Sequence, residues 1–281
     1  MKITEIPPNA GVVDGWRLIP ISPRSETLVA IGRNTPYDLI TSAVYAGEHL
    51  HSPYRGDNVI QAASPTIYVR QSVAKRLMFA QSLLPSGMKL IVFDGYRSIA
   101  VQQALFDQFF VALKKLRPTY SVAQLTAETE RYVSLPSNRA NNPSPHSTGG
   151  AVDVAIIKDG AMLEFGTPFD HGSARSALRY FEVQGNIKSQ ADRTALHHRR
   201  LLYGVMKQAG FEGYEHEWWH YNAPETQMGA CTAGYQVAAF GAAGRSFRQA
   251  VRERLRSYRR RPQVIDIVVS IDQISPDNQV V

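Results

Sequence analysis

The chain has 281 residues, 44% of them hydrophobic, a single cysteine and a formal net charge of +7. That length can bury a full core, and no apolar run approaches the roughly 18 residues a bilayer-spanning helix needs. Met1 to Pro8 lacks the apolar centre of a signal peptide, and the lone Cys231 excludes an internal disulfide framework and reads as an inert buried thiol. A reducing, cytoplasmic location is expected.

Residues 1–35 contain Pro7, Pro8, Pro20 and Pro23 and read as a loose lead-in with a β-like run from Thr27 to Ile31. Tyr45 to Thr66 is loop-rich. Gln71 to Leu84 predicts an amphipathic helix with Val73, Leu77, Ala80 and Leu84 on one face, closed by Pro85-Ser86-Gly87. Lys89 to Phe93 predicts a buried strand. Ile99 to Leu116 predicts a second helix with Leu105, Phe109, Leu113 and Leu116 aligned. Arg117 to Asn142 is polar, holds a short helix over Val122 to Val133, and reads as a surface excursion, with a lid over a site as the alternative. Ala151 to Ile157, the turn Lys158-Asp159-Gly160 and Ala161 to Phe165 predict a β-hairpin. Arg193 to Ala209 predicts a third helix ended by Gly210. The aromatic run Phe211 to Tyr221 predicts a strand or strand edge.

Beyond it, Gly229 to Gly244 reads as small and flexible, Ser246 to Tyr258 as a helix, Gln263 to Ile271 as a strand and Ser275 to Val281 as a tail. Arg245 to Arg261 holds eight arginines against Glu253, while the rest of the chain balances at 23 basic and 23 acidic groups. That run is read as a solvated helix face, or as a site for an anionic partner; it matches no nucleic-acid motif. The order of elements predicts an α+β fold with a central antiparallel sheet and helices mainly on one face.

Two segments carry chemistry. One is Ser144-Pro145-His146-Ser147-Thr148-Gly149-Gly150-Ala151-Val152-Asp153; the other is Glu215-His216-Glu217-Trp218-Trp219-His220-Tyr221. A catalytic zinc site needs three protein ligands, an open position and a base nearby. His146, Asp153 and His220 are candidate ligands, with Glu217 as the base. The glycines disfavour a helix between His146 and Asp153, so a loop, a glycine turn and a strand are expected. Asp153, among Val152, Val154, Ala155 and Ile156, is costly to bury unless paired or metal-bound. Trp218 and Trp219 are expected to wall the site, and His216 to orient a ligand.

The pattern Ser-x-His-x-x-Gly-x-Ala-x-Asp followed by Glu-Trp-Trp-His resembles the zinc D-Ala-D-Ala peptidases. Phe93-Asp94-Gly95-Tyr96-Arg97-Ser98 and Gly166-Thr167-Pro168-Phe169-Asp170 narrow the resemblance to the D-alanyl-D-alanine dipeptidases of peptidase family M15, including those of vancomycin resistance. It covers about Pro36 to Asn222. It implies the α+β fold of that family, a zinc peptidase domain over 36–222, and a C-terminal extension over 223–281. It implies one zinc on His146, Asp153 and His220, Glu217 as general base and Arg97 as the donor that stabilises the tetrahedral intermediate. Asp170 matches an acidic substrate-pocket position near the dipeptide amino group, and Ser144 a position close to the substrate. The tyrosine that helps hold that amino group has no clear match; Thr41 falls near its place and Tyr45 lies further on. The expected activity is hydrolysis of free D-Ala-D-Ala in the turnover of peptidoglycan precursors. A D,D-carboxypeptidase or L-Ala-D-Glu endopeptidase of the same fold is the alternative within enzymes, and a non-catalytic zinc-containing peptide-binding protein the alternative outside them. Without the resemblance, Arg97 reads as an ion-pair partner of Asp94 or as a surface residue, and Asp170 as a turn residue.

Overall fold

The computed structural model describes residues 3–48, 54, 56–130, 133–136 and 142–243. The arginine run Arg245 to Arg261, and the helix, strand and tail expected after Ser246, lie outside the described residues.

The chain passes through β1 (Leu28–Ala30), β2 (Ile40–Thr41), β3 (Tyr68–Arg70), α1 (Gln71–Leu83), β4 (Met88–Asp94), α2 (Ile99–Leu116), α3 (Val122–Glu130), β5 (Ala151–Lys158), β6 (Ala161–Met162), α4 (Gln190–Gln208), β7 (Glu212–Tyr214), β8 (Glu217–Asn222) and α5 (Gln227–Ala233). Six strands form the main sheet in the order β2-β4-β5-β8-β7, with β6 paired to β5; β1 and β3 form a separate antiparallel pair. The α+β expectation holds with one departure: β2 runs parallel to β4. The chain between them holds β3 and α1, the long crossover that a parallel pair requires.

β5 sits at the centre, antiparallel to β4 on one side and to β8 on the other. Its residues from Ala151 to Ile156 are all buried. Val152, Val154 and Ile156 point to one face and Asp153 and Ala155 to the other. α1 packs on β4 and on α4, and α4 packs on β7. Val73, Leu77 and Ala80 of α1 are fully buried, as their helical spacing requires. α4 starts three residues before the expected Arg193, because Ser189 and Asp192 form a capping box. It ends before Gly210, whose φ of +83° suits glycine.

α2 has the expected bounds, and the Ser98 hydroxyl caps it by accepting from the Val101 amide. Its buried stripe is Val101, Leu105, Phe106, Ala112 and Leu113, whereas Phe109 and Leu116 are only half-buried. Two further expectations are corrected. The single strand over Phe211 to Tyr221 is a hairpin, β7 and β8, turning at Glu215-His216. The small-residue stretch after Gly229 begins as α5, capped by the Thr226 hydroxyl on the Gly229 amide and ended by Gly234 at φ +76°. Among the described residues, no helix is long and apolar enough to cross a membrane.

Leu77 is fully buried in the main core. Leu77→Ala is expected to lower unfolding stability by about 2–5 kcal/mol, read as a lower urea midpoint at unchanged m-value.

Candidate metal centre and cleft

The site is built on one row across three strands. Asp153 on β5 stands opposite Asp94 on β4 and opposite His220 on β8. His146 arrives from the turn before β5, where His146–Thr148 make one 3-10 turn and Gly149, at φ +72°, reverses the chain.

His146 Nε2 lies 3.1 Å from His220 Nδ1 and 3.4 Å from Asp153 Oδ1, and His220 Nδ1 lies 3.1 Å from Asp153 Oδ1. All three side chains are buried, and their donor atoms can hold a metal ion. The remaining nitrogens are occupied. His146 Nδ1–H donates to the Gly95 carbonyl at 2.8 Å, and His220 Nε2–H to Asn222 Oδ1 at 3.3 Å. With a metal bound, those contacts would favour the tautomers that leave a lone pair on His146 Nε2 and on His220 Nδ1. Burial pushes the Asp153 carboxyl up, but the two imidazoles beside it prevail and hold it well below the usual carboxylate range.

Arg97 pairs with Asp94, one of the readings of it. Asp94 Oδ2 accepts from Arg97 Nε at 2.9 Å and pairs with Nη2 at 2.8 Å, while Nη2 also lies 3.7 Å from Asp153 Oδ2. Gln102 Oε1 and the Tyr45 hydroxyl accept from Nη1 and Nη2 at 3.1 and 2.9 Å. The guanidinium also stacks over the Tyr45 ring at 4.7 Å. Burial opposes its charge, but Tyr45, Asp94 and Asp153 raise its pKa above the ordinary value. Arg97 thus spans two facing carboxylates and lines the same cleft as the metal ligands.

Glu217 and His220 share that cleft although they lie three apart in a strand, where a strict period of two would put them on opposite faces. The β7–β8 register explains it: Gly213 pairs with Tyr221 but Tyr214 with Glu217, so three residues of β8 have no counterpart. This irregularity re-aims Glu217 into the cleft. Its Oε2 lies 3.8 Å from His220 Nδ1, and burial pushes its carboxyl up to about 7.

Asp170 completes the acidic set. It adopts a left-handed backbone, φ +60°, and accepts from the Tyr54 hydroxyl at 2.8 Å. Burial pushes its carboxyl up to about 6 against that hydrogen bond. Ser144 lines the cleft too, its hydroxyl accepting from the Ser147 amide at 3.4 Å. The cleft measures about 120 Å³.

Several expectations change. Only Trp219 walls the cleft; Trp218 points to the other face, stacked on Phe165 at 4.2 Å and donating to the Thr167 hydroxyl. His216 is exposed at the β7–β8 turn and touches Tyr214, not a ligand. Cys231 is half-buried, its thiol pushed up by burial and by Asp14. Thr41 lies under Gly32, away from the cleft-lining residues. Tyr45 and Tyr54 line the cleft instead. The polar excursion after α2 is part of the site: Glu130, Val133 and Ser134 line the cleft, and Gln102 Nε2 holds the Ser134 carbonyl at 2.7 Å. Tyr54 and Gln102 were not singled out from sequence; Gln102 sits among the core-facing positions of α2, which is the one local signal it carries.

A family model described as D-Ala-D-Ala dipeptidase, of the M15 peptidases, matches residues 42–238. The chain is similar to a D-alanyl-D-alanine dipeptidase of Synechocystis, 34% identical over 177 residues that make up 58% of this chain and 71% of that one. It is similar to a D-alanyl-D-alanine dipeptidase of Enterococcus faecalis at 26% identity over 137 residues, 48% of this chain and 62% of the relative. Among solved structures, the vancomycin-resistance D,D-pentapeptidase VanY in complex with Zn(II) aligns over 78% of this chain and 96% of its own, at 21% identity and a TM-score of 0.36.

The raised Asp170 carboxyl has a stability consequence. Its folded-state pKa of about 6 lies above the ordinary value, so the folded protein holds that proton more tightly than the unfolded chain. Stability from this group is present below the ordinary carboxylate range and is lost as pH rises through about 6. Asp170→Asn should therefore gain stability relative to wild type between about pH 4 and 7, measured by urea unfolding of metal-free protein; a constant difference across that range contradicts the assignment.

Proposed function

The chain belongs to the D-Ala-D-Ala dipeptidase family of peptidases, and on that footing we propose that it binds one zinc ion through His146, Asp153 and His220 and hydrolyses free D-Ala-D-Ala. One observation supports the metal most directly. The donor atoms stand 3.1, 3.1 and 3.4 Å apart. Zinc bonds of about 2.0–2.1 Å at tetrahedral corners put neighbouring donors about 3.3 Å from each other. Two nitrogens and one carboxylate oxygen leave the fourth corner to water or substrate, the arrangement of a catalytic site.

Zinc held there would lower the pKa of water to about 7 and polarise the scissile carbonyl. The chain's own groups do the rest. Glu217, its carboxyl raised by burial in the metal-free protein, accepts a proton from the attacking water and returns it to the leaving amine. Arg97, charged throughout, donates to the oxygen on which negative charge develops. Its partners Asp94, Gln102 and Tyr45 fix the fork before substrate arrives. Asp170 in its ionised form holds the substrate ammonium, oriented by the Tyr54 hydroxyl. Ser144 borders the substrate. A free dipeptide precursor suits a cytoplasmic enzyme.

The deciding assay offers zinc-loaded protein D-Ala-D-Ala, L-Ala-L-Ala and a pentapeptide ending in D-Ala-D-Ala. Turnover of the free D,D-dipeptide alone is expected; turnover of the pentapeptide alone makes the protein a carboxypeptidase. Glu217→Ala should retain zinc while kcat falls by about 10²–10⁴-fold. His146→Ala should instead lose the metal, measured by elemental analysis after gel filtration.

A further inference from the structure

Arg70 is a buried arginine, 7% exposed, whose guanidinium makes its contacts with backbone carbonyls. Nε donates to the Thr148 carbonyl at 2.8 Å, Nη1 to the Glu26 carbonyl and Nη2 to the Gly241 carbonyl at 3.1 Å. The plane lies over the Phe240 ring at 5.1 Å. Its own backbone amide donates to the Gly149 carbonyl at 2.9 Å. Burial lowers its pKa, with Glu26 and Tyr96 opposing that shift.

Two of these carbonyls belong to the turn that delivers His146. The rest of that turn is held just as tightly: the Ser147 carbonyl accepts from the Ala243 amide at 2.8 Å and the Gly150 carbonyl from the Ala223 amide at 2.8 Å. A Cβ on Gly149 would come within 2.4 Å of Leu28, and one on Gly150 within 2.4 Å of Thr226. Without Arg70, the Thr148 carbonyl would be left buried and unpaired. The residues that surround the turn come from both flanks of the sheet: Glu26 and Leu28 before it, Phe240, Gly241 and Ala243 after it.

We propose that Arg70 is a positioning residue for the metal centre: it locks the Thr148–Gly149 stretch and ties both flanking segments to it, so that His146 Nε2 is held where Asp153 and His220 meet it. The inference rests on the metal reading above, and zinc binding by the wild-type protein tests that reading separately. Arg70 touches neither ligand nor substrate pocket; it acts through the backbone two residues beyond His146.

The test measures Zn2+ affinity by competition with a chromophoric chelator for wild type, Arg70→Gln, Arg70→Lys and Leu77→Ala, with melting temperature and the visible absorption of the Co2+-substituted protein alongside. Arg70→Gln is expected to bind zinc about 10- to 100-fold more weakly, the range seen when groups behind metal ligands are removed, and to shift the Co2+ bands. Arg70→Lys keeps the charge and the apolar stem but loses the fork; it should fold, bind zinc more weakly than wild type and shift the same bands. Leu77→Ala should melt at lower temperature yet keep wild-type affinity and spectrum. Wild-type affinity and spectrum in both Arg70 variants, or equal losses in all three, overturns the proposal; should Arg70→Gln not fold, Arg70→Lys decides alone.

Discussion

The structure depends on one register: Asp153 directly opposite His220 across β5 and β8. Side chains alternate along a strand, so a slip of one residue would turn Asp153 into the apolar layer and Val152 or Val154 toward the histidines. The slip is opposed by the burial of Val152, Val154 and Ile156 on the other face, each fully buried. The hydrophobic core thus sets the register, and the register sets the metal geometry. Asp94 falls into the same row because β4 is shifted by an irregularity between Val92 and Asp94.

Such a row is an electrostatic problem before it is a site. Asp153, Asp170 and Glu217 converge on one cleft, with Asp94 paired opposite Asp153 in the neighbouring strand. Arg97 lies against Asp94 and Asp153, and the imidazoles stabilise Asp153 further. Asp170 and Glu217 receive less compensation, and their carboxyls rise to about 6 and about 7. A carboxylate held low beside imidazoles, as Asp153 is, suits a cation, and one raised by burial, as Glu217 is, suits proton transfer.

Much of this could be read from the chain, and the failures have physical reasons. The bounds of α2 were legible because its apolar spacing is helical, and the Ser98 cap agrees with them. His146, Asp153, Glu217 and His220 stood out through their residue types and the glycines between them, and the structure brings all four together. Trp218 is taken by the other face, against Phe165 and Thr167, while the irregular pairing of β8 lets Glu217, Trp219 and His220 share the cleft. The placement of Glu217 beside His220 needed a register shift that leaves no compositional mark. Tyr54 was hidden because Tyr45 to Thr66 has no periodicity, and its partner Asp170 is more than a hundred residues away. α5 was hidden by its glycine and alanine content, which reads as loop although Thr226 caps it.

β5 also has a far end. It leaves the metal row at Asp153 and runs to Lys158 before Asp159 and Gly160, at φ +50° and +80°, turn it into β6. Six residues of extended chain span about 20 Å. A Cβ on Gly160 would meet nothing within 4 Å. Chemistry is concentrated at one end of the sheet's central strand, and at the other the backbone emerges into open space. That tip is therefore a natural port for grafting: a fluorophore, an affinity peptide or a whole guest domain spliced there would be carried by a buried central strand, mechanically continuous with the row of Asp153 and His220 yet remote from it.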